Sequence, residues 1–421
     1  MRISQRRRST LLAVALTGTL ALAACGGGGF EEDTAAGGGE DEAPASAEGP
    51  ASLVMLIASS GEAETAAVEA AAAAWASESG NEVEVRVASN IDQQLAQGFA
   101  GGSPPDIFYL DAAKVAEQAA AGNLYAYEAA ENDDFYESLR DAFTFEDTQW
   151  CAPKDFSTLA LQINTASWEA AGLTDEDIPT NFDELATVAE TLTTADQKGL
   201  VVSPGIDRAG AFVVGNGGWW LNEEATEATG TSEPVVNALE YVKEQMAAGS
   251  FAYAGDVDAG WGGEAFGTER AAMTLEGNWI TGAMSADYPD VDYTVAQVPE
   301  GSEGKGTLLF TQCWGVADAS KAQAQAVDLV NYLTTPEQQM KFAEAFGVMP
   351  SRQAAADDYK AAFPEDEAFI AGADYGHGPI NAPDMGPVVA DLNSELERIA
   401  NADITKLMEG FDQNAGAVLG E

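Results

Sequence analysis

Apolar residues run without a break from Leu53 to Ile57, the pattern of a strand buried on both faces. The polar stretch Ser59-Ser60-Gly61-Glu62 follows, and the alanine-rich segment from Ala63 to Ser77, closing near Gly80, predicts a helix. Val83, Val85 and Val87 alternate with charged residues and predict a second strand. A short helix over 91–100, a third strand at Pro105-Asp106-Ile107-Phe108-Tyr109-Leu110 and a helix over 114–121 closed by Gly122-Asn123 complete this part. Strand, helix, strand, helix, strand is a βαβ arrangement, so these residues predict an α/β lobe with a largely parallel sheet.

The pattern breaks and restarts around Trp150-Cys151-Ala152-Pro153-Lys154-Asp155-Phe156-Ser157. Its polar half, Lys154, Asp155 and Ser157, runs straight into Thr158-Leu159-Ala160-Leu161, the start of a buried strand. A strand that leaves one α/β segment, presents polar groups and enters another is a candidate crossover lining a cleft. Further strands are predicted over 159–164, 200–203 and 271–275. Helices are predicted over 167–171, from a cap at Thr180 or Asn181, and over 234–248, which has an early proline. Leu308-Leu309-Phe310-Thr311-Gln312-Cys313-Trp314-Gly315-Val316 repeats the crossover character, helices over 322–333 and 336–346 follow, and Gly347-Val348-Met349-Pro350 breaks the chain again. Helices near 392–400 and 404–413 end it. The fold class is therefore α/β, with two lobes and three crossovers near 151–157, 310–316 and 347–351.

Charge narrows the function. The 421 residues hold 19 basic and 69 acidic side chains, a net charge of −50. Such a surface repels nucleic acid and anionic lipid. With one histidine, His377, and three cysteines, there is no HExxH, no CxxC pair and no N/S zinc cluster, so no metal and no cofactor are expected. A serine triad would have to use His377, and neither a GxSxG elbow nor a GxxxxGK[ST] loop is present.

Residues 1–24 read as a signal peptide. Arg2, Arg6, Arg7 and Arg8 precede the apolar run Leu11 to Leu22, and Leu22-Ala23-Ala24-Cys25 resembles the bacterial lipobox, whose cysteine carries lipid and becomes the mature N-terminus. The apolar run is too short for a spanning helix. The arginines also hint at a twin-arginine signal, although Thr10 stands where a bulky apolar residue is expected. Residues 25–50, rich in Gly, Glu, Asp, Ala and Pro, read as a disordered tether. The expectation is an exported protein, lipid-anchored through Cys25 to the outer face of a bacterial cell membrane.

From about residue 51 to 421 the chain resembles the maltose-binding-protein-like solute-binding proteins of ABC importers. The resemblance is carried by Pro105-Asp106-Ile107-Phe108-Tyr109, Ala152-Pro153-Lys154-Asp155-Phe156-Ser157, Ala271-Ala272-Met273-Thr274-Leu275-Glu276-Gly277-Asn278-Trp279, Leu333-Thr334-Thr335-Pro336-Glu337 and Gly347-Val348-Met349-Pro350-Ser351, in this order after a lipobox. It implies a monomeric clamp of type II periplasmic-binding-protein fold that closes on a solute, does no chemistry and delivers the solute to a permease. One lobe would comprise 51–154 with 314–349, the other 155–313 with 350–421.

A sugar offers hydroxyls and weakly apolar C–H faces, so its binder needs aromatic faces and paired polar groups. By resemblance, Trp279 matches a tryptophan that stacks on sugar, and Ser157 stands where the maltose binder has a carboxylate. Ser60, Asp106, Tyr109, Asp111, Asp155, Asp207 and Arg208 lie at strand ends or at the crossover, where α/β lobes hold ligand. Trp219, Trp220, Trp261 and Tyr375 are aromatic candidates in loop-like positions, against the reading of ordinary core residues. Glu62 is a further candidate, but Glu62, Asp111 and Asp207 can equally be solvated acids or helix caps, and His377 reads as a loop residue and a minor ligand candidate. A polyamine or other small solute is the alternative ligand, and a secreted glycoside hydrolase the alternative class. If Cys151 and Cys313 lie on neighbouring crossover strands they are expected to form a disulfide, the alternative being two buried thiols.

Overall fold

A computed structural model describes residues 49–420. The signal peptide, Cys25 and nearly all of the expected tether lie outside the described residues. In chain order the strands are β1 (Ser52–Ile57), β2 (Glu82–Val87), β3 (Ile107–Asp111), the short hairpin β4 (Thr144–Phe145) and β5 (Thr148–Gln149), β6 (Ala152–Asn164), β7 (Lys198–Val202), β8 (Phe251–Tyr253), β9 (Ala271–Gly277), β10 (Tyr293–Ala296), β11 (Thr307–Val316), β12 (Met349–Pro350) and β13 (Gly376–His377).

Apart from the hairpin these strands form one continuous arrangement, with the order β2-β1-β3-β11-β6-β9-β7-β8. At one end β2, β1 and β3 run parallel, as the βαβ pattern requires, and β11 joins β3 antiparallel. At the other end β9, β7 and β8 run parallel, and β6 joins β9 antiparallel. The two ends are spliced by β6. Its first half pairs with β11, from Ala152↔Trp314 to Thr158↔Leu309, and its second half with β9 and β10. The third break lies alongside, because Met349 and Pro350 of β12 pair with Phe156 and Asp155.

The splice explains why β6 runs 13 residues and takes in the polar half that pattern alone left outside a strand. Asp155 is paired on both sides, with Gln312 and Pro350, Ser157 is paired with Phe310, and at Lys154, the bulge residue, the backbone carbonyl accepts from Gln339 Nε2 at 3.1 Å. Separate cores flank the splice. One gathers Leu53, Met55, Ile107, Phe108, Val316 and Leu329 around β1, β3 and β11. Two others cover the opposite faces of the second sheet half, one holding Leu161, Leu200, Phe212 and Leu239, the other Ala160, Val201, Phe266 and Tyr359.

Local signals set most helix starts. Asn90 accepts from the Gln93 N–H and opens Ile91–Ala100, Asn181 does the same for Phe182–Leu192, and Thr335 caps a helix whose first residue is Pro336. The segment after β7, to which the sequence pattern assigned no element, is a helix, Ile206–Gly215. Two spans differ from expectation. The predicted 114–121 helix is split into a 3-10 turn at Ala112–Lys114 and a helix at Val115–Ala120. The helix expected near 392 begins at Gly386, where Pro387 fits the first turn, and ends at Leu396.

Candidate functional site

A cavity of about 680 Å³ opens over the splice, lined by residues from both sheet ends. Its floor follows from strand alternation. Leu308, Phe310 and Gln312 on β11, and Asp155 and Ser157 on β6, each two residues apart, share one face and line it. Gln312 is paired with Asp111 of β3 on one side and Asp155 of β6 on the other, so Asp111, Gln312 and Asp155 form a polar row across three strands. Phe310 is paired with Ser157 in the next row on that face.

Trp279 forms part of the wall and is one of the few large apolar side chains left exposed, at 38%. Its ring folds back over Gly277, where a Cβ would come within 2.2 Å of it, and its edge meets Phe310 at a centroid distance of 5.0 Å. The Trp279 Nε1–H donates to Glu276 Oε2 at 3.1 Å. Burial pushes the Glu276 carboxyl up, and Arg208 and the Trp279 bond only partly oppose this.

Under the polar row lies a buried charge network. Lys154 Nζ lies 3.3 Å from Glu64 Oε1 and contacts the Asp155 carboxylate more closely still. Glu64 also accepts from the Tyr109 hydroxyl at 3.0 Å and from the Ser60 N–H and hydroxyl at 2.7 and 2.8 Å. Burial alone would raise Glu64, but Lys154 and these bonds outweigh it and hold the carboxyl below its usual value. Asp155 ends above its usual value, because burial outweighs its pairing with Lys154. Asp111 and Asp207 also line the cavity, and the crowding of the cleft walls raises both. The Asp92 and Asp207 charges add to the rise of Asp111.

His377 closes the far wall, its ring 3.9 Å from that of Trp219. Nδ1 lies 2.7 Å from the Gly378 carbonyl, which only accepts, so the proton sits on Nδ1 and Nε2 is left as an acceptor. Burial holds the imidazole below its usual pKa, against the pull of that bond. A second cavity, about 870 Å³, shares Trp219 and His377 to Ile380 with the first and is lined beyond them by Tyr375 and several carboxylates.

Of the residues singled out from sequence, Ser60, Asp111, Asp155 and Ser157 line the first cavity, with Asp207, Trp219 and Trp279. The others lie elsewhere. Asp106 accepts from the Val54 N–H and the Ser320 hydroxyl, and Tyr109 is buried against Trp314 and Glu64. Trp220 is fully buried, packed edge-on against Phe411. Trp261 packs over Gly263 at the start of the helix Gly262–Gly267, and Glu62 is exposed in the first turn of Glu62–Ser79. Arg208 turns inward to Glu276, and Tyr375 lines only the second cavity. Phe310, Gln312 and Asn278 were not singled out as wall residues, and His377 was weighed only as a minor candidate. Alternation along β11 would have flagged the first two, whereas the others depend on tertiary contacts, such as Asn278 donating to the Gly347 carbonyl.

The expected pairing of Cys151 with Cys313 is present, with Cα atoms 5.7 Å apart. Among the described residues no group of three or more His, Cys, Asp or Glu is placed to hold a metal, and no helix is long and apolar enough to cross a membrane.

Residues 58–340 match the sequence profile of the bacterial extracellular solute-binding proteins. The chain belongs to this family. A diacetylchitobiose binding protein, DasA of Streptomyces coelicolor, is 22% identical over 344 residues, which cover 78% of this chain and 80% of that protein. The GacH receptor of Streptomyces glaucescens, solved alone and with acarbose, aligns with a TM-score of 0.75 at 21% identity, over 89% of this chain and 100% of its own. A cyclo/maltodextrin-binding protein complexed with maltotetraose aligns with a TM-score of 0.78 at 18% identity, over 89% of this chain and 98% of that one. These likenesses identify the fold as the two-lobed type II clamp.

Proposed function

We propose that the protein captures an oligosaccharide in the cavity over the splice and delivers it to the permease of an ABC importer, without catalysis. The observation that carries this reading is the make-up of the cavity. The aromatic faces of Trp279, Phe310 and Trp219 stand around a polar row of Asp111, Gln312 and Asp155, which supplies stacking surface and hydroxyl partners together. The sugar-binding activities of the similar proteins support it. Residues 51–154 with 314–349 form one lobe, and 155–313 with 350–421 the other. The chain acts as a monomer, lipid-anchored through Cys25 outside the cell, on a tether of residues 25–50.

The four carboxylates in the cavity, Asp111, Glu117, Asp155 and Asp207, favour a cationic solute as the second reading. A thermal-shift panel of maltotetraose, diacetylchitobiose, spermidine and putrescine separates the two. A solute at 100 times its Kd stabilises the fold by about 2.7 kcal/mol. Shifts with a sugar and none with the amines support the proposal, and the reverse overturns it. Release of shorter sugars over hours, followed by chromatography, would place the protein among the hydrolases instead.

A further inference from the structure

Behind Trp279 lies an ion pair that does not line the cavity. Glu276 is 0% exposed and Arg208 8%. Glu276 Oε2 accepts from both Arg208 Nη2 and Trp279 Nε1, the latter at 3.1 Å, while Oε1 has no partner. The Arg208 guanidinium stands 5.6 Å from the Trp279 ring centroid and 5.8 Å from that of Phe310. A buried pair of this kind is no more stabilising than well-packed apolar residues of the same volume, so stability alone does not account for it. What apolar residues lack is an acceptor for the indole N–H and a cation against the ring.

We propose that Arg208 and Glu276 are positioning residues that hold the Trp279 ring in its cavity-facing orientation before any ligand arrives. The inference rests on reading Trp279 as a stacking surface. Its advantage is preorganisation. A large side chain already fixed in its bound orientation spares the ligand the entropy of ordering it, a factor of about three to ten in affinity. Glu276 fixes the ring's rotation through the N–H, and Arg208 both donates to the same Glu276 oxygen and packs against the ring.

The ligand-free test is fluorine NMR of protein carrying 5-fluorotryptophan, with the Trp279 line identified by its loss in Trp279→Phe. In Glu276→Leu the Trp279 line should shift and broaden while the other tryptophan lines stay in place. Glu276→Gln, which keeps an acceptor, should leave it nearly unchanged. Should Glu276→Leu fail to fold around an unpaired Arg208, the double variant Arg208→Leu with Glu276→Leu replaces it. An unmoved Trp279 line in both Glu276→Leu and the double variant overturns the proposal, as does a shift spread over all the tryptophans.

The second arm measures the Kd of maltotetraose and of diacetylchitobiose. Glu276→Leu should weaken binding about three- to tenfold in the parent and not at all in the Trp279→Ala background. An equal loss in both backgrounds overturns positioning while leaving the sugar reading intact. If neither sugar binds the parent protein, the proposed ligand class fails, and the NMR arm still decides whether the pair holds the ring.

Discussion

Cys151 and Cys313 are bonded beside the splice, immediately ahead of the paired residues Ala152 and Trp314 and within the core that surrounds β1 and β3. Both are fully buried, and the bond closes a separation of 162 residues. The bridge therefore ties β6 and β11 together on one side of the cavity and leaves the other side untied. In the chain-entropy account, closing a loop of this length stabilises by about 5 kcal/mol. The double variant Cys151→Ser with Cys313→Ser should lose a large part of that, read as a lower denaturant midpoint in equilibrium unfolding. Its Kd for a bound sugar should change less than twofold, because neither cysteine lines the cavity. A loss below about 1 kcal/mol would show that the crossover strands hold each other without the bridge.

Among the described residues Lys154 is the one cation against Glu64 and Asp155, and the Lys154 and Glu64 side chains are each 5% exposed. Lys154→Met keeps the length of the chain and removes the charge, which leaves two buried carboxylates facing one another. Breaking a buried pair in this way costs about 3–5 kcal/mol. The variant should unfold at a markedly lower denaturant concentration at pH 7. Part of that loss should return in Lys154→Met with Glu64→Gln, since the second change removes one stranded charge. A variant as stable as the parent would mean that water reaches the network.

The same groups set a pH optimum on the acid side. Asp111, Asp155, Asp207, Glu276 and Asp366 all sit above their ordinary values because burial disfavours their charge. A carboxyl raised in the fold binds more protons there than in the unfolded chain, so its contribution is lost as pH rises past its ordinary 3.8 or 4.5 toward the folded value. Glu64 works the other way, since it is lowered and its contribution is lost as pH falls below 4.5. His377, lowered from 6.5, also loses its contribution as pH falls below that value. Asp141 is raised as well, while the lowered Glu84, Asp177, Glu184 and Glu337 are exposed and screened by solvent. Relief of a net charge of −50 adds to the raised groups, which puts maximal stability at about pH 4.5–6. Melting temperatures measured from pH 4 to 8 should peak there, and a steady rise to pH 8 would contradict the argument.

The fold was largely legible because its signals are local. The unbroken apolar run of β1, the alternation of β2, the caps at Asn90 and Asn181 and the prolines before 234–248 and 336–346 each act within a few residues. The crossovers were legible too, since polar residues that run straight into a buried strand mark the point where a chain passes from an open cleft into a core. The site was legible where chain direction alone brings a residue to the cleft, as for Asp111 at the end of β3 and Trp279 after β9. It was not legible where a side chain chose between two partners. Arg208 sits one residue from Asp207, yet a helical first turn sends Asp207 to the cavity and Arg208 to Glu276. Trp219 and Trp220 are adjacent, and only the first reaches the cavity, the second filling the core against Phe411. A one-residue step decides such cases, and composition carries no record of it.

Gly277 is where position and stability come apart most cleanly. An added Cβ would sit 2.2 Å from Trp279 Cζ3 and touches no other group as closely. The obstacle is the far end of a side chain on an exposed wall, so the ring can swing away at little cost to the fold. Replacing glycine by alanine in a strand also narrows the unfolded ensemble, worth about 0.4–1 kcal/mol in favour of the fold where the backbone tolerates it. Gly277→Ala should therefore melt within a few degrees of the parent, while its Trp279 ring leaves both Gly277 and the Glu276 carboxylate. Sugar affinity should fall about tenfold or more, close to the loss in Trp279→Ala, because a displaced ring offers the ligand no face. Titration of both variants by intrinsic fluorescence makes the comparison. If Gly277→Ala binds as tightly as the parent while Trp279→Ala does not, the ring has found another seat from which it still reaches the ligand.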